Sequence, residues 1–185
     1  MVSELITKLE KTLDHSKAKR NAFASYIIAH PDQLPALIAI CKQVDTPISC
    51  KAAWALEYVC GKQVHIILPQ IDDFLSCAKV VYQDPAVRPM AKICEHLILA
   101  YYKKKDQKVI SFLTDTRKEL ITELCFDWLI TNQKVAAQAY SMTSLFLLGK
   151  DFDWIHPELK MILLQNYENG SAAYKARARM VLNKI

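Results

Sequence analysis

The chain has 185 residues, a formal net charge of +5, 52% apolar residues and only 3 glycines. That length carries a single domain with a substantial core, and that composition excludes a disordered chain and argues against a strand-and-turn fold. The modest positive charge permits an anionic partner without demanding one.

The opening stretch, MVSELITKLEKTLDHS, is amphipathic and charged, unlike a signal peptide. Val2, Leu5, Ile6, Leu9 and Leu13 form one stripe at helical spacing. Ser16 is placed to cap a second helix carrying Ala22, Phe23, Tyr26 and Ile27, which His30-Pro31 ends. Leu34, Leu37, Ile38 and Cys41 belong to the next helix. Thr46-Pro47 then restarts the chain with a capping hydroxyl and a proline suited to the first helical position. Gly61 is expected to stop that helix as a left-handed cap.

Asp84-Pro85 repeats the Thr46-Pro47 device. The stretch LILAYYKKKDQKVISFLTDT suits a basic loop and an extra short helix. Thr116-Arg117-Lys118-Glu119 fits a capping box, Asn132 is a further candidate cap, and Gly149 and Gly170 follow helix ends. No apolar run reaches the roughly 18 residues needed to cross a bilayer, so no membrane partner is expected. Cysteines 41, 50, 60, 77, 94 and 125 lie in apolar helical patterns without a CxxC spacing, as reduced core residues of a cytoplasmic protein would.

Five segments align on one alanine each: AKRNAFAS on Ala22, SCKAAWAL on Ala52, VRPMAKIC on Ala91, VAAQAYSM on Ala139 and YKARARMV on Ala178. The last four have Ile48, Val87, Val135 or Tyr174 four positions earlier. Spacings of 30, 39, 48 and 39 residues bracket the period of about 40–47 residues of helix-pair repeats. A small residue at a helix contact allows axes to approach to about 8–10 Å.

The clearest copy, DPAVRPMA at 84–91, resembles the HEAT consensus, in which an Asp-Pro-x-Val-Arg segment opens the second helix of each pair. The resemblance implies an all-α, HEAT/armadillo-like right-handed α-α superhelix of about five helix pairs, as one domain over residues 1–185. KAAWALEYVC, VRPMAKIC, FDWLI, VAAQAYSM, DWIHPELK and AAYKARAR together resemble a family of small bacterial HEAT-like proteins of unknown function, often labelled adenylosuccinate lyase. The mobile serine-rich loop of true lyases, SSxMPxKxNP, has no counterpart here; Tyr140-Ser141-Met142-Thr143-Ser144 is the nearest phrase. His65 and His96 would be the acid–base candidates for such chemistry, and no partner carboxylate is placed beside them by the sequence.

Basic residues fall near the repeated alanine: Lys19 and Arg20, Lys51, Arg88 and Lys92, then Lys175, Arg177 and Arg179. In solenoids of this type the second helices line the concave face, so Lys51, Trp54, Arg88, Lys92, Tyr140, Lys175, Arg177 and Arg179 are the candidate partner-binding residues. Aromatic and arginine side chains anchor protein interfaces, and a protein or peptide is the expected partner of a non-catalytic scaffold. A basic groove would instead follow a phosphate backbone. HEAT-like alkylpurine DNA glycosylases have a similar architecture, though Asp127-Trp128 and Asp153-Trp154 match no motif of theirs.

Arg88 stands where HEAT repeats pair an arginine with an acid of a neighbouring repeat, and the tryptophans suit core packing. Cys94 and His96 point in different directions on a helix and make a poor chelate. Asp72-Asp73 reads as a cap or solvated turn, and Lys103-Lys104-Lys105 as a solubilising loop. No catalytic residue, metal ligand or cofactor motif stands out.

Overall fold

A computed structural model describes residues 2–14 and 16–185. These residues form eleven α-helices and no strand: α1 (Val2–Thr12), α2 (Lys17–Ala29), α3 (Leu34–Cys41), α4 (Pro47–Lys62), α5 (Ile71–Val80), α6 (Asp84–Tyr102), α7 (Gln107–Phe112), α8 (Asp115–Ile130), α9 (Val135–Leu148), α10 (Ile155–Tyr167) and α11 (Ala172–Leu182). Short 3₁₀ segments at Pro31–Gln33 and Val64–Gln70 link neighbouring helices. Among the described residues no helix is long and apolar enough to cross a membrane.

Contacts cluster into two units, Met1–His96 and Leu97–Ile185, with α6 beginning in the first and running into the second. In the first unit α3 packs on α1, α4 and α5, while α4 also packs on α1 and α2. Its core includes Leu5, Leu9, Leu37, Leu56, Ile67 and Phe74, all at most 2% exposed. In the second unit α9 packs on α8, α10 and α11, and α10 packs on α11. Ile121, Cys125, Leu145, Leu148, Leu159 and Leu163 are fully buried there. The α1 stripe behaves as its spacing implies for Leu5, Leu9 and Leu13, which are buried; Val2 at the helix start stays exposed.

The alanine register holds in α4, α6 and α11, where Ala52, Ala91 and Ala178 are fully buried. It fails in two helices. In α2 the buried small residue is Ala24 and Ala22 is exposed; in α9 it is Ala137 and Ala139 is half-buried.

The helix ends correct several expectations. Ser16 does cap α2, its hydroxyl accepting from the Lys19 amide. Thr46 stands at the start of α4, but its hydroxyl donates to the Gln43 carbonyl and caps nothing. Asp84 is the first residue of α6 rather than its cap; the Gln83 carbonyl accepts from the amides of Ala86 and Val87. The box at Thr116 does not form, because α8 starts two residues earlier with Thr114 accepting from the Arg117 amide. Lys134, not Asn132, precedes α9, with no side-chain cap. The basic loop and extra short helix occur as Lys103–Lys105 and α7. Asp106 caps α7 by accepting from the amides of Lys108 and Val109.

No described glycine adopts a positive φ, so Gly61 is not a left-handed cap; it lies inside the last turn of α4. What Gly149 provides is room. A Cβ built there would stand 2.1 Å from Cδ2 of His156, whose ring stacks on Phe146 and whose Nε2 lies 2.9 Å from the Phe146 carbonyl.

Candidate functional site

In the first unit the candidate residues come together on one side of α4 and the start of α6. Lys51, Trp54 and Tyr58 recur at helical spacing along α4, while Ala52, Ala55, Leu56 and Val59 face the core. Arg20 of α2 lies 4.6 Å from the Trp54 ring and 5.7 Å from the Tyr58 ring, a cation–π cluster. The Lys51 ammonium reaches back to the Glu10 carbonyl at 3.3 Å.

The segment DPAVRPMA explains much of this arrangement. Pro89 lies inside α6 and has no N–H to give the Pro85 carbonyl one turn earlier. The Trp54 indole donates to that carbonyl instead, at 2.8 Å. An orphan acceptor created by one helix is thus satisfied by its neighbour.

One turn on, Arg88 makes a two-pronged pair with Glu57 of α4: Nη1 donates to Oε1 at 3.0 Å and Nη2 to Oε2 at 2.5 Å. The Glu57 side chain is only 12% exposed, so this is a partly desolvated bidentate bond of the strong kind. Further along α6, Lys92 donates to Glu95 at 2.7 Å, and Glu95 is itself buried. Arg88 and Lys92 are therefore compensated by Glu57 and Glu95, two largely covered carboxylates, while Arg20 lies over the Trp54 and Tyr58 rings.

The candidate residues of the second unit lie on α9 and α11. Arg177 donates to the Thr143 hydroxyl at 3.0 Å, which ties α11 to α9. Arg179 donates twice to the Tyr167 hydroxyl, at 3.2 and 3.1 Å, and the Lys175 ammonium lies 5.9 Å from the same ring. Tyr140 is half-buried on α9. These cations are engaged along the helix surface by neutral oxygens and a ring.

A polar cluster without a local sequence signature lies elsewhere in this unit. Lys118, 3% exposed, donates to Asp151 at 2.5 Å, pairs with Asp115 at 2.9 Å and stands 5.0 Å from the Tyr101 ring. Tyr102 donates to the same Asp151 oxygen at 2.6 Å. Burial would favour neutral Lys118, but the bonds to Asp151 and Asp115 outweigh it and raise its pKa. Burial likewise pushes Asp151 up, and the bonds from Lys118 and Tyr102 overcome this and hold it below the usual carboxylate range. Burial, then the hydrogen bond to Asp151, drives the Tyr102 hydroxyl well up. All three groups are locked in their ordinary protonation states, which makes the cluster a clamp on the α9–α10 connection and a poor proton shuttle.

The remaining candidates take structural places. Trp128 is buried in α8, while Trp154 is exposed and stacks on Phe126 with ring centres 5.6 Å apart. Among the described residues no group of three or more His, Cys, Asp or Glu could hold a metal ion. Asp72 and Asp73 sit exposed in the first turn of α5, where the helix dipole favours them. All six cysteines are reduced thiols; five are buried and Cys50 is half-buried. No protein-family model, curated protein or solved structure matches the chain.

Proposed function

We propose that the chain is a HEAT/armadillo-like right-handed superhelix serving as a non-catalytic scaffold in the cytoplasm, with a protein or peptide as partner. The resemblance to small bacterial HEAT-like proteins supports the architecture. So does the packing within each unit, where second helices touch second helices: α2 on α4, and α9 on α11. The observation that carries the functional reading is the composition of the α4–α6 face. Trp54, Tyr58 and Arg20 offer aromatic and guanidinium surface there, Lys51 and Lys92 edge it, and Glu57 already neutralises Arg88. Mixed charge around aromatic side chains suits protein recognition, whereas a nucleic-acid backbone calls for uncompensated cations.

The test is capture of partners on the tagged full chain from its own cell extract, with and without nuclease. The expected result is a defined protein retained after nuclease and lost from the variant Lys51→Glu/Lys92→Glu. Recovery dominated by nucleic acid, released by nuclease or moderate salt, would overturn this reading and favour the phosphate-backbone alternative.

A further inference from the structure

A cleft of about 450 Å³ opens in the second unit between the α8–α9 and α10–α11 connections, within the size range of small-molecule sites. Its walls include Asn132, Gln133, Lys134, Gln138, Asn166 and Tyr174, and no aspartate or glutamate. Two helix starts border it. Lys134 precedes and Val135 begins α9, which has no side-chain cap, and Ser171 precedes α11, its hydroxyl accepting from the Tyr174 amide. The first amides of a helix have no intrahelical partner and carry partial positive charge.

Two further atoms mark the place. Tyr174 is 4% exposed and its O–H finds no acceptor. Asn166, which also donates to the Ile162 carbonyl, is placed to donate to the phenol oxygen, and this leaves the O–H itself unused. Gln133 is half-buried, with its Oε1 covered and unpartnered. Gly170 leaves the space the Tyr174 ring occupies, since a Cβ there would stand 2.5 Å from Cδ1. Leaving such groups unpaired costs free energy that a ligand would recover.

We infer that this cleft binds a small organic anion, a phosphate or carboxylate bearing hydroxyl donors. The anionic group would lie on the α9 and α11 starts beside Lys134 and accept from Tyr174, and a ligand hydroxyl would donate to Gln133 Oε1. Helix starts bind anions for this reason throughout proteins. The site is separate from the α4–α6 face and does not depend on the scaffold reading.

The test is an amide-resolved NMR titration of the full chain with inorganic phosphate and with glycerol 3-phosphate, at constant ionic strength set with sodium chloride. The expected result is saturable shifts confined to residues near 131–138 and 169–175, with glycerol 3-phosphate the tighter of the two. Tyr174→Phe should weaken binding about tenfold, as loss of a hydrogen bond to a charged group does. Lys134→Met should weaken it independently, and decides the matter if Tyr174→Phe fails to fold. No saturation by about 10 mM, a thermodynamically negligible affinity, would overturn the inference. So would shifts centred on Lys103–Lys105, or unchanged affinity in Lys134→Met.

Discussion

Replacing Gly149 by alanine tests whether this glycine is a matter of backbone or of space. Its φ of −62° and ψ of −1° are right-handed and open to any residue. On backbone grounds alone alanine would stabilise the protein by about 0.4–1 kcal/mol, because the unfolded chain loses freedom. The new methyl group, however, would lie 2.1, 2.3 and 2.9 Å from three atoms of the His156 ring, where ordinary contact begins at 3.4 Å. The ring must retreat by more than an ångström, losing its bond to the Phe146 carbonyl and its stacking on Phe146. Overpacking of this kind costs about 1–3 kcal/mol, and the lost hydrogen bond adds about 1 kcal/mol. We expect a net loss of about 2–3 kcal/mol, or a fall in Tm of about 4–12 °C for a chain of this size. Urea unfolding of Gly149→Ala, His156→Ala and the double variant measures it. Once the ring is gone its three closest clashes go with it, so the double variant should be no less stable than His156→Ala. Equal stability of Gly149→Ala and the parent, or additive losses in the double variant, would refute the steric account.

Trp54→Phe keeps the aromatic bulk but hands the exposed Pro85 carbonyl to water, and should cost about 0.5–1.5 kcal/mol in chemical denaturation. Arg88→Met leaves the Glu57 carboxylate unpaired where it is only 12% exposed, with an expected loss of about 1–3 kcal/mol; Arg88→Lys should recover only part of it, since an ammonium cannot make the two-pronged bond. Asp151 has its folded pKa below the unfolded value, so its stabilisation is present above the unfolded pKa and lost as pH falls through the folded one. Asp151→Asn should therefore flatten the acid side of the stability–pH profile as well as lower the neutral plateau. Thiol alkylation of the folded protein should mark Cys50 alone, and slowly, because burial raises its pKa.

How much was legible before folding depended on how local each cause was. Helices followed from apolar periodicity, and Ala52, Ala91 and Ala178 are buried where the repeat alignment places them. In α2 and α9 the alignment falls on Ala22 and Ala139, two residues from the buried Ala24 and Ala137. A partner acid for Arg88 was an expectation of the resemblance to the HEAT consensus; that the acid is Glu57, 31 residues upstream, needed the fold. Lys118, Asp151 and Tyr102 are 33 and 49 residues apart and carry no local signature. Gly149 was noticed as a helix end, but a close approach by a ring is invisible without the partner's position. Two prolines four apart in DPAVRPMA leave one helical carbonyl without its usual donor, and nothing in the sequence nominates Trp54 to fill the gap.

The indole bond to Pro85 also gives the first unit its own optical reporter. Of the 3 tryptophans, Trp54 falls in Met1–His96, and Trp128 and Trp154 fall in Leu97–Ile185. Trp54 is held by a carbonyl at its nitrogen and a guanidinium near its ring, so its emission should change when α4 and α6 separate. In a Trp128→Phe/Trp154→Phe background, fluorescence would follow the first unit while backbone circular dichroism followed both. Coincident curves would show one cooperative transition, and an early or late fluorescence change would show that the two halves of the chain melt as separate bodies.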